Sequence, residues 1–157
     1  MALIYLGIGT NLGDKEKNLD QAINLLSEQV GKIISVSSFF YSEPWGFESD
    51  NDFLNAVVLL ETKMQPLKVL LETQQVEQQM GRTVKSKDQQ YADRIIDIDI
   101  LLYDDLVVES DKLRIPHPLL QERDFVLCPL AEIAPDCIHP IQNKSIKMLW
   151  HEFQERK

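Results

Sequence analysis

Cysteine is nearly missing from this chain. Cys128 and Cys137 are the only two among 157 residues, and they form no Cys-x-x-Cys pair. That excludes a disulfide framework and the common zinc and redox motifs. No apolar run approaches the roughly 20 residues of a membrane span. Met1 leads straight into an apolar segment, without the basic and then apolar pattern of a signal peptide. Basic residues are scarce as well: 16 Lys and Arg stand against 25 Asp and Glu, a net charge of −9. A broad nucleic-acid surface is therefore excluded, and any anion site must be a local basic cluster. The glycine-rich stretch Gly7 to Gly13 is not followed by Gly-Lys-Ser/Thr, and its spacing misses the dinucleotide fingerprint. There is no internal repeat, low-complexity tract or linker. With 44% hydrophobic residues, what remains is one globular domain over residues 1–157. It is expected in a reducing, cytoplasmic compartment, as a monomer, with small-molecule partners rather than nucleic acid or membrane.

What is present is most pointed at Arg94 to Tyr103. Its isoleucines and polar flanks predict a strand. Alternation puts Asp97 and Asp99 on one face and Ile96, Ile98 and Ile100 on the other, with the two acids about 7 Å apart. Paired carboxylates in a half-buried place repel each other and lose hydration. A hard divalent cation with oxygen ligands relieves both. Two carboxylates are too few to cage a metal alone, but magnesium takes one or two, with water and substrate phosphates completing its shell. Taken alone, a solvated strand face with two acids is the plainer reading.

Elsewhere, Ala2 to Ile8 predicts a buried strand, and Gly7 to Gly13 a strand-to-helix turn. Leu19, Ala22, Ile23, Leu26 and Val30 recur at helical spacing, with Gly31 as stop. Ile33 to Tyr41 predicts a strand, and Ser42 to Asp52 a loop with unexpected aromatics, Trp45 and Phe47. Phe53 to Thr62 predicts another strand. There Asn55 interrupts an apolar face, and a buried amide has to be hydrogen-bonded, either to backbone or to a ligand's polar edge. Pro66 to Met80 predicts a helix with Pro66 in its first turn, Leu67, Leu70 and Leu71 as its buried stripe, and Gln74, Glu77 and Gln78 carrying that stripe toward solvent or a cleft. The long polar stretch Arg82 to Arg94 is basic and adjoins the acidic pair, as a lid over a polyphosphate would. Leu106 to Val108 predicts a short strand or turn partner after Asp104 and Asp105. Pro116 and Pro118 fix the chain around His117, although a lone histidine is more often structural than catalytic. Ser145 to Lys157 predicts a helix with Ile146, Leu149, Trp150 and Phe153 as its stripe. The order strand, helix, strand, strand, helix, strand predicts a ferredoxin-like α+β fold. It is an antiparallel sheet with helices on one face, extended at the C-terminus by a strand or two and a helix.

Several of these pieces together resemble one family. They are Gly9-Thr10-Asn11-Leu12-Gly13, Phe53-Leu54-Asn55, Gly81-Arg82, Arg94-x-x-Asp97-Ile98-Asp99-Ile100, Ile115-Pro116-His117-Pro118 and Arg123-x-Phe125-Val126-Leu127-x-Pro129-Leu130. The ordered set is similar to 6-hydroxymethyl-7,8-dihydropterin pyrophosphokinase of folate biosynthesis. The resemblance implies transfer of pyrophosphate from ATP to the hydroxymethyl oxygen of the dihydropterin, with release of AMP. It implies that Asp97 and Asp99 hold two magnesium ions, and that Arg82 and Arg94 close a catalytic lid over the phosphates. Gln74, Glu77, Lys112, His117 and Arg123 are implied to face the nucleotide. The pterin is implied to stack between Phe53 and Phe125, with Asn55 at its amide-like edge and Glu43, Pro44 and Trp45 beside it. The rival reading is a non-catalytic ferredoxin-like module that binds a small regulatory molecule. Such a module has no need of paired metal aspartates beside a basic lid.

Overall fold

Strand β1 (Ala2–Thr10) is the axis of the molecule, because both of its edges are paired. β4 (Phe53–Thr62) lies antiparallel on one side of it, and β5 (Asp97–Tyr103) lies antiparallel on the other. β2 (Lys32–Val36) and then β3 (Phe40–Ser42) line the far edge of β4, giving the order β2-β4-β1-β5. With α1 (Lys15–Gln29) and α2 (Pro66–Gln79) as crossovers, this is the ferredoxin-like arrangement expected. The computed structural model describes residues 1–42, 52–81 and 95–156.

The sheet has two unlike faces. On one, Ala2, Ile4, Leu6 and Ile8 of β1 and Leu54, Ala56, Val58 and Leu60 of β4 meet Leu19, Ala22 and Leu26 of α1 and Val69 and Val76 of α2. Period-two strands and helical stripes account for this layer. α1 starts where the Asp14 carboxylate accepts from the Lys17 N–H at 3.2 Å. It ends at Gly31, where a β-carbon would stand 2.2 Å from the Glu61 carbonyl oxygen.

The other face is covered by the C-terminal third. A two-stranded ribbon, β6 (Val108–Glu109) and β7 (Arg114–Ile115), leads to a 3-10 turn at Leu120–Glu122. Then come α3 (Asp124–Ile133) and α4 (Ile146–Glu155). Leu120, Val126, Leu127, Leu130, Ile146 and Leu149 bury Val57, Leu101 and Leu102. Within the ferredoxin-like core both helices lie on one face, as expected, and the C-terminal extension covers the other face with two helices where one was expected. The apolar run from Phe125 to Leu130 is the start of α3, with Pro129 inside it.

Four further expectations need correction. β1 runs through Gly9 to Thr10, so the glycine stretch is strand first and turn only after it. The predicted strand from Ile33 to Tyr41 is broken. Ser37 N–H donates to the Val57 carbonyl, but the Val57 N–H is met by the Ser37 hydroxyl at 2.9 Å in place of a backbone carbonyl. Glu132 of α3 then accepts from the Ser38 N–H at 3.0 Å, holding the chain off the ladder until Phe40. In α2 the buried side is Val69, Thr73, Val76 and Glu77, while Leu67 and Leu71 are more than half exposed. Of the three leucines only Leu70 packs against this core, and Leu67 and Leu71 face away from it. The strand expected at Leu106 to Val108 is displaced to Val108–Glu109, because a turn after Tyr103 occupies the earlier residues.

β5 contains one irregularity. Tyr5 pairs with Leu102 but Leu6 pairs with Ile100, so Leu101 is an extra residue. Ile96, Ile98, Ile100 and Tyr103 enter the first core, while Leu101 and Leu102, though adjacent, both enter the second.

Candidate active site

Strand register assembles the site on the second face, at the end of the sheet that α3 and α4 leave uncovered by core. Gly9 lies opposite Asn55 on one side and Asp97 on the other. Gly7 likewise lies between Val57 and Asp99. A row across the sheet therefore reads Phe40, Asn55, Gly9, Asp97, with no side chain on the central strand. The result is a trough with an amide on one bank and a carboxylate on the other, their backbones roughly 10 Å apart, two strand spacings. A β-carbon on Gly9 would stand 2.8 Å from Asn55 Oδ1 and 3.6 Å from the Phe53 ring, so the floor has to be glycine. Over Gly7 the trough is closed by the Leu101 side chain.

Asn55 is buried. Its amide nitrogen donates to the Phe40 carbonyl at 3.1 Å and to the Ser42 hydroxyl at 2.8 Å. Phe53 is half-buried beside it.

On the opposite bank Asp97 and Asp99 are both half-buried and share the face expected. The C-terminal segment brings two more groups to them. The backbone N–H of His117 donates to the Leu101 carbonyl at 3.0 Å, pinning the proline-flanked loop to β5. His117 Nδ1 accepts from the Leu119 N–H at 3.1 Å, so the neutral ring carries its proton on Nε2. Burial first, and the Arg123 charge second, push His117 down to about 4, against the opposing pull of Asp97. The ring is therefore a neutral donor near pH 7. Arg123, itself buried, reaches to 3.9 Å from the Asp99 carboxylate and lies over the Phe125 ring at 5.5 Å.

These donors suit magnesium. Among the described residues no cluster of three or more His, Cys, Asp or Glu side chains is placed to hold a metal. Two half-exposed carboxylates on one strand face match a hard ion that keeps water and phosphate oxygens in its shell.

The remaining expected site residues are distributed unevenly. Glu77 is buried and its carboxylate accepts from the Ile98 N–H at 2.8 Å, serving the outer edge of β5. Gln74, one turn before it on α2, is exposed. Lys112 is exposed in the turn between β6 and β7. Glu43, Pro44, Trp45, Arg82 and Arg94 lie outside the described residues. Sequence reasoning missed Gly9 as the floor and Ser42 as a partner of Asn55. The pairing register that reveals both has no signal in a single strand, although the crowding of glycines before Thr10 was a clue to close approach.

Comparisons with known proteins place the chain in a family. The family model of 7,8-dihydro-6-hydroxymethylpterin-pyrophosphokinase (HPPK) matches residues 5–135. The 2-amino-4-hydroxy-6-hydroxymethyldihydropteridine pyrophosphokinase of Porphyromonas gingivalis is 47% identical over 141 residues, 89% of this chain and 95% of the relative. The protein of the same name from Aquifex aeolicus is 43% identical over 147 residues, 94% of this chain and 89% of the relative. Among solved structures, the wild-type HPPK-DHPS of Plasmodium falciparum superposes with a TM-score of 0.82 at 17% identity. It is matched over 99% of this chain, which spans 45% of that protein's length, and it supports the fold. The chain belongs to the 7,8-dihydro-6-hydroxymethylpterin pyrophosphokinase family.

Proposed function

We propose that this chain transfers the terminal pyrophosphate of ATP to 6-hydroxymethyl-7,8-dihydropterin, giving the pterin diphosphate and AMP, a step of folate biosynthesis. The hydroxymethyl oxygen forms a bond to the β-phosphorus while the bridging oxygen to the α-phosphorus leaves with AMP. The observation that carries the reading is the row Asn55, Gly9, Asp97. It is a flat trough with an amide at one bank and a cation-binding carboxylate at the other.

Asp97 and Asp99 hold magnesium, two ions in this reading. When bound, the metal neutralises the triphosphate and orients it for in-line attack. Phe53 and Phe125 stack on the pterin, and Asn55 reads its amide-like edge. Arg123 approaches the phosphates from beside Asp99, and His117 donates from Nε2. Gln74, Glu77 and Lys112 complete the nucleotide side. Arg82 and Arg94 close over the phosphates, with Glu43, Pro44 and Trp45 beside the pterin. No strong general base stands among the described groups, so catalysis rests on positioning and charge stabilisation. The whole chain, residues 1–157, acts as one domain, as a monomer in the cytoplasm. Among the described residues no helix is long and apolar enough to cross a membrane.

The test is AMP release from ATP, magnesium and the hydroxymethyl-dihydropterin. AMP formed in proportion to the pterin consumed is the expected result. AMP no higher than in the enzyme-free control would instead favour the regulatory module.

A further inference from the structure

Glu132 ties two parts of the molecule together. One carboxylate oxygen accepts from the Ser38 N–H at 3.0 Å and from the Ser38 hydroxyl at 3.0 Å, and the other lies 3.2 Å from the same N–H. The neighbouring Ser37 is buried and turns to the sheet. Its N–H donates to the Val57 carbonyl, and its hydroxyl accepts from the Val57 N–H at 2.9 Å. The corner between β2 and β3 is thus a polar bracket, with β4 on one arm and α3 on the other. Each arm also carries one of the two rings assigned to stacking. Val57 follows Phe53 on the same face of β4. Phe125 stands about two turns before Glu132, on the same side of α3. α3 itself is seated on the sheet by Val126, Leu127 and Leu130. Such apolar packing is non-directional and tolerates a small roll of the helix. Hydrogen bonds converging on one carboxylate do not.

We infer that Glu132 is a positioning residue that sets the gap between the Phe53 and Phe125 rings, and through it a preference for flat heterocycles. Glu132 touches Ser38, not the substrate. This inference rests on the pyrophosphokinase reading, and it adds a residue outside the site that fixes the width of the slot. A slot held at one spacing admits a planar ring and clashes with a puckered one. Without the carboxylate, α3 keeps its apolar seat but loses the contact that fixes its roll, and the gap becomes variable. The bound ring then has to narrow that spread itself, at a cost to affinity. The bracket lies at the surface, so its loss costs the fold little.

The experiment uses the full chain with 6-hydroxymethyl-7,8-dihydropterin, whose ring system is nearly flat, and its 5,6,7,8-tetrahydro analogue, whose reduced ring is puckered. Binding of each, and of Mg-ATP, is measured by calorimetry without oxygen. Glu132→Ala should weaken the flat pterin about fivefold, the order of one net hydrogen bond. It should lower the preference for the flat ring over the puckered one, and leave Mg-ATP affinity and melting temperature close to wild type. Glu132→Gln, which keeps the length and an oxygen for the Ser38 N–H, should restore most of the affinity and the preference. Ser38→Ala, which removes the hydroxyl but keeps the N–H contact, should act in the same direction as Glu132→Ala and less strongly. An unchanged ratio of flat to puckered affinity in Glu132→Ala, or equal losses for pterin and Mg-ATP that Glu132→Gln does not repair, would overturn the inference alone. Failure of the wild-type chain to bind the pterin at all would overturn it together with the proposed function.

Discussion

The two faces of the sheet are made by the same strands and do different work. Ile4, Leu6 and Ile8 of β1 point into the layer under α1 and α2 and are almost wholly buried. Leu3, Tyr5, Gly7 and Gly9 alternate with them on the opposite face, where side-chain size shrinks to nothing toward the end of the strand. β4 and β5 follow the same division. Their inward residues are apolar except Thr62 at the end of β4, while their outward residues become Asn55, Asp97 and Asp99 at the site end. One face supplies stability over its full length. The other is half core and half site, with the boundary near Leu101 over Gly7.

If this division of labour is right, substitutions on the two faces should separate activity from stability. The largest effect is expected for Asp97→Ala or Asp99→Ala. Turnover should fall by at least about a thousandfold, since several kcal/mol of charge stabilisation depend on the metal ligands. The melting temperature should hardly move, because both acids are half exposed. AMP release and a thermal melt on the same preparations check this.

Leu6→Ala should do the reverse. Leu6 is fully buried, so unfolding free energy should drop by about 3 kcal/mol. Turnover measured well below the melting point should stay near wild type. A large loss of turnover there would mean that the two faces are coupled through β1.

His117 sharpens the comparison through pH. Its folded value is about 4, against 6.5 for an unperturbed ring. Between those values the unfolded chain binds a proton that the folded chain does not. Stability from this group is therefore intact above about pH 6.5 and is lost as pH falls through about 4, by about 3 kcal/mol in all. Urea unfolding of the metal-free protein at pH 7, 5 and 4 should show the slope, and His117→Asn should flatten it.

The smallest effect is expected from Phe53→Ala. It removes one stacking partner and should weaken the pterin about tenfold, with Mg-ATP binding unaltered. Fluorescence titration reads it directly, and unchanged pterin affinity would remove Phe53 from the site.

Local pattern made much of this legible. A short apolar run marked β1, period-two alternation marked β4 and β5, helical spacing marked α1 and α4, and Pro66 marked the start of α2. The expectations that failed did so where a distant residue intervened. Ser37 replaces a backbone acceptor with its hydroxyl, and Glu132 takes the next N–H from 94 positions away. Nothing in the segment from Ile33 to Tyr41 announces either. In α2 the leucines were the loudest apolar signal, but the packed side carries smaller residues and a carboxylate that caps the edge of β5. At the site, the identities of Asn55, Asp97, Asp99 and His117 were visible as oddities of pattern, and Arg123 only through the family resemblance. Their adjacency was not, because it is a property of register across three strands and of a loop pinned by the Leu101 carbonyl.

The extra residue in β5 has a consequence for how this strand tolerates change. Without Leu101 as a bulge, strict alternation would send Tyr103 out on the same side as the acids. With it, Tyr103 turns inward, where its hydroxyl donates to the Met64 carbonyl at 2.5 Å. The bulge acts as a phase shifter between a chemical half and an anchoring half of one strand. Deleting a single residue there would force the strand to surrender either its carboxylates or its anchor, while point substitutions on either side leave the phase intact.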